Sequence, residues 1–121
     1  MKFKALSVVS PAGDWIATGK KSIEVRSWSP EKAPLFNVAI VENSNYLLEE
    51  GQEDENGYVV AIVDFTKIEP WTEQQQESAC SKQWSTGYLG WHITNVRKLA
   101  VPIKAVAKRK IYEIDLDAIK T

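Results

Sequence analysis

The chain has a single cysteine and a single histidine in 121 residues, and no apolar run near the roughly 20 residues that a membrane helix needs. With Cys80 alone, no intramolecular disulfide forms and a cysteine-rich zinc site is excluded, which agrees with a reducing compartment. His92 alone cannot build a His/Cys metal cluster, and a Ser-His-Asp arrangement would have to use that one residue. No metal or other cofactor is expected. The amino terminus lacks the apolar h-region of a signal peptide, so a cytoplasmic location and no membrane partner are expected. A marked excess of either charge is also missing. A formal net charge of -1 argues against coating nucleic acid by bulk electrostatics, so any such binding is focused on a local patch.

What is present is a globular composition: 44% hydrophobic and 26% charged residues with five tryptophans, enough to bury a core and unlike a disordered chain. The length suits one domain over residues 1–121. Residues 3–9 read as a buried strand that stops at Ser10-Pro11, where serine suits a helix N-cap and proline the first helical position. A two-turn helix over 11–18 follows, with Gly19 placed to close it in the left-handed conformation. From Ser22 the period becomes two, with Ile23 and Val25 alternating with Glu24 and Arg26, as in a half-buried strand.

Residues 35–41 form another apolar strand after a turn with two prolines. Residues 42–57 read as a solvated acidic loop with a helical turn at 46–50, and 58–65 as the central core strand. Thr72-Glu73-Gln74-Gln75 has capping-box spacing and opens a surface helix to about Cys80, after which 83–88 form a loop that can lie over a site. Strands over 89–99 and 111–114 complete the chain, with Pro102 limiting pairing. About six short strands and about two or three short helices make an α+β fold, a small mixed β-barrel.

The densest polar constellation is Gly19-Lys20-Lys21-Ser22-Ile23-Glu24-Val25-Arg26, at the junction of helix and strand. Lys21 suits a phosphate or base contact, or a catalytic nucleophile or base if burial lowers its pKa; a solvated lysine at a strand entrance is the plain alternative. Arg26 suits bidentate contact with phosphate or carboxylate, or a pair with Glu24. An exposed pair of that kind adds only about 0–1 kcal/mol of stability. Trp15 and Trp91 fit apolar faces, whereas Trp28 and Trp84, beside polar loops, are the candidates for stacking on a base. Lys108, Arg109 and Lys110 form the one run of three basic residues, a solvated turn or a phosphate contact. His92 reads as a satisfied surface residue.

Leu6-Ser7-Val8, Trp15-Ile16 and Gly19-x-Lys21-x-x-Glu24-x-Arg26 together resemble the ASCH domain family, whose hallmark is G-x-K-x-x-E-x-R after a short helix. Trp28, Trp91-His92-Ile93-Thr94-Asn95-Val96, Leu99 and Pro102 look like the family's later elements. The resemblance implies a PUA-like barrel that binds RNA, or a modified nucleoside or nucleotide, in a cleft between the first helix and the strands. Gly19, Lys20, Lys21, Glu24, Arg26 and Trp28 are then the ligand-binding set. The alternative it implies is a hydrolase centred on Lys21 with Glu24, of the N4-acetylcytidine amidohydrolase or ribonuclease type. Glu24 stands where those amidohydrolases have threonine, which shifts the weight towards recognition. A protein partner at the acidic residues 49–55 is a third expectation.

Overall fold

The computed structural model describes residues 1–116. The chain runs β1 (Lys2–Val9), α1 (Ala12–Ala17), β2 (Ile23–Arg26), β3 (Leu35–Asn43), β4 (Glu53–Pro70), a 3-10 turn (Glu73–Gln75), β5 (Leu89–Lys108) and β6 (Ile111–Asp115). The strands form one mixed sheet in the order β2-β5-β4-β3-β1-β6. β1 and β3 are parallel, with Leu6 opposite Ile40, and the other four pairings are antiparallel. A parallel pair needs a crossover between its strands. Here the crossover is α1 and β2, and it carries β2 to the far edge of the sheet.

β4 spans 18 residues and β5 spans 20. A straight strand of such length would run about 60 Å, well beyond the breadth of a chain this size. Register shifts after Asp54, Val59, Ile62 and Phe65 break the β4–β5 ladder, and such bulges bend a strand. The two strands therefore serve two cores. Leu6, Ile40, Val63, Phe65 and Trp91 pack with Ile16 of α1 in one, while Ala5, Ala39, Val41, Val59 and Leu99 pack in the other. The unbroken apolar run of β4 follows, because its middle is covered on both faces.

Three local expectations need correction here, and barrel closure after them. Ser10 does not cap α1: its N–H donates to the Asn43 carbonyl, extending the strand, so Pro11 becomes the N-cap residue. The Asp14 N–H is taken instead by Glu42 Oε2 from β3, at 3.0 Å. That approach requires glycine at 13, where a Cβ would lie 2.7 Å from the Glu42 Cβ. The helix expected over 72–80 is a single 3-10 turn followed by turns: the Gln75, Gln76 and Cys80 N–H groups bond three residues back, to the Thr72, Glu73 and Glu77 carbonyls, a geometry that supports only short runs. The end of the segment is held from outside, with Ser78 O accepting the Ser22 and Ile23 N–H groups and Ala79 O accepting Lys21 Nζ. No helical turn forms at 46–50; the Gln52 side chain accepts the Leu48 and Glu49 N–H groups there.

The last correction concerns closure. The hydrogen-bonded ladder is an open sheet, with β2 and β6 unpaired to each other among the described residues, so the expected barrel closure is not part of the ladder. Side chains span the gap instead, as described below. Among the described residues no helix is long and apolar enough to cross a membrane.

Asp64 pins the bent part of the sheet. It accepts the Asn37 N–H, the Asn95 amide and Arg97 Nη2, and Arg97 Nη1 reaches Asn37 Oδ1. Asn37 and Asn95 both sit at positive φ, 57° and 50°, a conformation that asparagine tolerates better than most residues. Burial pushes the Asp64 carboxyl up, but the Asn37 N–H, the Asn95 amide and the Arg97 guanidinium outweigh it and hold its pKa below the ordinary value. Because the folded-state pKa is depressed, this stabilisation is present above about pH 4 and is lost as pH falls through the depressed value. Asp64→Ala should cost about 2 kcal/mol at neutral pH. Urea unfolding between neutral and acid pH should show a shallower acid limb for the variant, and an unchanged limb would contradict the assignment.

Candidate functional site

Gly19 ends α1 at φ +83° with its N–H on the Ile16 carbonyl, the left-handed closure its position predicts. The Lys21 N–H then returns to the Trp15 carbonyl, and β2 pairs with β5 so that Glu24 lies opposite Trp91. Period two puts Glu24 and Arg26 on one side of β2. That side is not solvent. Glu24 and Lys21 side chains are each only 9% exposed and Arg26 21%.

The Glu24 carboxylate holds both cations. Its Oε2 accepts Arg26 Nε at 2.9 Å and Arg26 Nη2 at 2.6 Å, a fork in which both donors meet one oxygen. Its Oε1 lies 3.3 Å from Lys21 Nζ. Each cation also reaches a backbone carbonyl: Lys21 Nζ donates to Ala79 O at 2.6 Å, and Arg26 Nη2 to Ser7 O at 2.8 Å. One carboxylate thus ties β2 to the segment after the 3-10 turn and, across the open edge of the sheet, to β1. A buried pair with its hydrogen bonds satisfied differs in kind from the weak exposed pair expected from the strand pattern.

Two clefts of about 360 Å³ each open on either side of Glu24, at the small end of the range for ligand pockets. The first lies between β1, α1 and β2 and is lined by Ser7, Ala12, Glu24, Arg26, Trp28, Asn43, Asn45 and Tyr46, with Lys108, Arg109 and Lys110 beside them. The second contains Lys21, Trp71, Cys80, Ser81, Ser85 and Tyr88. The expected site residues are therefore divided. Glu24 touches both clefts, Arg26 and Trp28 only the first, and Lys21 only the second. Lys20 lines neither and places its ammonium 5.0 Å from the Trp15 ring centroid.

Trp28 is half-buried, edge-on to Trp91 at 5.0 Å, with Lys110 Nζ 5.6 Å from its centroid. Trp15 is half-buried, where a core position was expected. Trp84 donates Nε1 to Trp71 O and packs on that ring, so it is committed to the fold. His92 lies half-buried with Nε2 2.9 Å from Glu69 Oε1. Cys80 Sγ sits 3.6 Å from the Lys20 carbonyl. Among the described residues no group of three or more His, Cys, Asp or Glu is placed to hold a metal ion.

Two features of the first cleft carried no warning in the pattern. A relay fixes the basic turn to β1: the Lys108 N–H donates to Ser7 Oγ, Ser7 Oγ lies 2.9 Å from Tyr112 Oη, and Tyr112 donates to Val106 O. Tyr112 spends its one proton on Val106, so the serine hydroxyl donates to the phenol oxygen. Burial pushes the Tyr112 phenol up. The second feature is buried amide chemistry in the region expected to be solvated. Asp54 accepts both Asn43 Nδ2 and Asn45 Nδ2 at 3.1 Å and the Asn56 N–H at 2.9 Å.

The model of the ASCH domain family matches residues 6–103. The chain belongs to this family. No curated protein matches it in a sequence search. The matched span takes in all of the ASCH hallmark, the 3-10 turn and most of β5, and it stops before the basic turn and β6. In this ASCH domain the hallmark glutamate and arginine join strand edges as well as facing a cleft. Glu24→Gln removes the shared negative charge from between two cations and should cost about 3 kcal/mol. Adding Lys21→Met should recover part of that loss by removing the uncompensated ammonium. Urea denaturation of the wild type and the two variants checks this, and a double variant less stable than Glu24→Gln would contradict it.

Proposed function

We propose that this ASCH domain binds RNA or a nucleotide in the first cleft, with Arg26, Trp28 and the basic turn as its contacts. The observation that carries the reading is the convergence of four cationic side chains, Arg26, Lys108, Arg109 and Lys110, on a small cleft walled by a tryptophan. Membership of the family supports binding of RNA in general terms. The cleft has the size for one unstacked nucleotide, the form in which RNA displays its base edges. Lys108 and Lys110 are exposed on the turn, where phosphate contact costs little desolvation. Arg26 Nη1 takes no partner among the described residues, which leaves a donor for a phosphate or base acceptor. Glu24 orients Arg26. Gly19 shapes the turn into β2, and Lys21 holds Glu24 from the far side.

The same geometry weighs against a hydrolase centred on Lys21. Its Nζ is committed to Ala79 O and Glu24, with 9% exposure left for the approach of a carbonyl carbon. Incubation with N4-acetylcytidine or RNA should therefore yield no turnover that depends on Lys21. Binding is tested at the turn. Lys110 has φ 58°, so Lys110→Gly removes the charge at a position where glycine carries no steric penalty. This variant and Arg109→Ala should each weaken single-stranded RNA binding several-fold and lower the dependence of affinity on salt by about one charge. Thermal stability of Lys110→Gly should stay within about 1 kcal/mol of wild type. Unchanged affinity in both variants would overturn the proposal.

A further inference from the structure

We infer that the first cleft selects nucleotides whose base carries an amino group at N4 or N6, cytosine or adenine over uracil, and that Asp54 sets this preference through Asn43 and Asn45. The inference rests on the proposed nucleotide binding and adds its specificity.

A carboxylate is acceptor-only when ionised, whereas an amide side chain has one end that donates and one that accepts. Asp54 takes both asparagine side chains through their NH2 ends. For Asn43 the assignment is forced twice, because Nδ2 also donates to the Asn45 carbonyl at 2.6 Å. Neither amide can turn over without setting oxygen against oxygen. Each therefore has its Oδ1 carbonyl left to offer, and neither Oδ1 takes a hydrogen bond from the described residues. Both residues line the first cleft.

The carboxylate is itself held. The Asn56 N–H, then the Asn43 and Asn45 amides, keep the Asp54 carboxyl below the ordinary aspartate range, so it remains an acceptor at neutral pH. Asn43 is 3% and Asp54 8% exposed, which makes this a built element and not a surface accident. The other carboxylate of the lining, Glu24, is taken up by Arg26 and Lys21, so the acceptors left to a base are the two amide carbonyls, while the cations are Arg26 and the basic turn. The cationic part suits a phosphate. The acceptor part suits N4 of cytosine or N6 of adenine and opposes O4 of uracil, which would meet it with a like lone pair.

The test is fluorescence anisotropy with labelled single-stranded oligo(C), oligo(A) and oligo(U) on wild type, Asn45→Leu and Asp54→Asn. Wild type should bind oligo(C) and oligo(A) about tenfold more tightly than oligo(U), the discrimination of one good base contact. Asn45→Leu, at an exposed position, should keep the fold, and the preference should fall to about threefold or less, one of two acceptors being gone. Asp54→Asn frees the amides to turn and should also erode the preference. Circular dichroism establishes that each variant is folded, and if Asp54→Asn is not, Asn45→Leu decides. Equal binding of all three oligomers by wild type, or a preference untouched in Asn45→Leu, would overturn this inference and leave nucleotide binding standing. No binding of any oligomer at low salt would overturn both.

Discussion

The Glu24 carboxylate, shared between Lys21 and Arg26, is the contact on which the rest of the site depends. β2 is a four-residue edge strand, and among the described residues its only ladder is to β5. Its position against the remainder of the molecule is set by side chains. Through Arg26 it reaches the Ser7 carbonyl of β1, and through Lys21 the Ala79 carbonyl beyond the 3-10 turn. Remove the carboxylate and two cations that are nearly out of solvent lose their counter-charge together. The cost of burying three charges is offset because Lys21 and Arg26 each find a backbone carbonyl in addition to the shared carboxylate.

This staple also divides the surface. Glu24 stands between two clefts of equal size with opposite character. The second cleft holds Lys21, whose nitrogen is committed on two sides. The first holds Arg26 with one nitrogen unengaged among the described residues, an aromatic wall at Trp28 and three basic residues at a turn. The turn's position is no accident of an exposed hairpin, because the Lys108, Ser7, Tyr112 and Val106 relay fastens it to β1. Recognition in the first cleft leaves the Glu24 staple intact, whereas chemistry at Lys21 needs it broken. The acidic residues expected to form one solvated patch serve separate ends: Asp54 is buried in the amide network, and Glu53 pairs with Lys108 at 3.3 Å.

Much of the framework was legible in the chain. All six strands were placed, β4 as a central one, since a run covered on both faces shows as unbroken apolar sequence. Gly19 marked the helix end, and Gly19 to Arg26 was the densest polar constellation. What escaped has physical reasons. β4 and β5 run far beyond their apolar centres because bulges let polar residues stay in the ladder while the strand bends. The segment after Thr72 carries a helix-start signal, yet its first bonds close three residues back and its end is held by Lys21, Ser22 and Ile23. The partners of Lys21 and Arg26 are main-chain oxygens, which any residue supplies and no motif announces. Asn43, Asn45 and Asp54 resemble loop residues when read in order; only the pairing of β3 with β4 brings them together. Ser7 and Tyr112 stand 105 positions apart and meet only because β6 folds back along β1.

We propose that nucleic acid enters the cleft between β1, α1 and β2. The most direct measurement is a titration of nitrogen-labelled protein with short single-stranded RNA, followed by NMR through the backbone amides and the tryptophan and arginine side chains. Shifts should concentrate at Ser7, Arg26, the Trp28 indole, Asn45 and the basic turn, and leave Cys80, Ser85 and Tyr88 unmoved. Shifts centred on Lys21, Cys80 and Tyr88, with the basic turn unaffected, would contradict it.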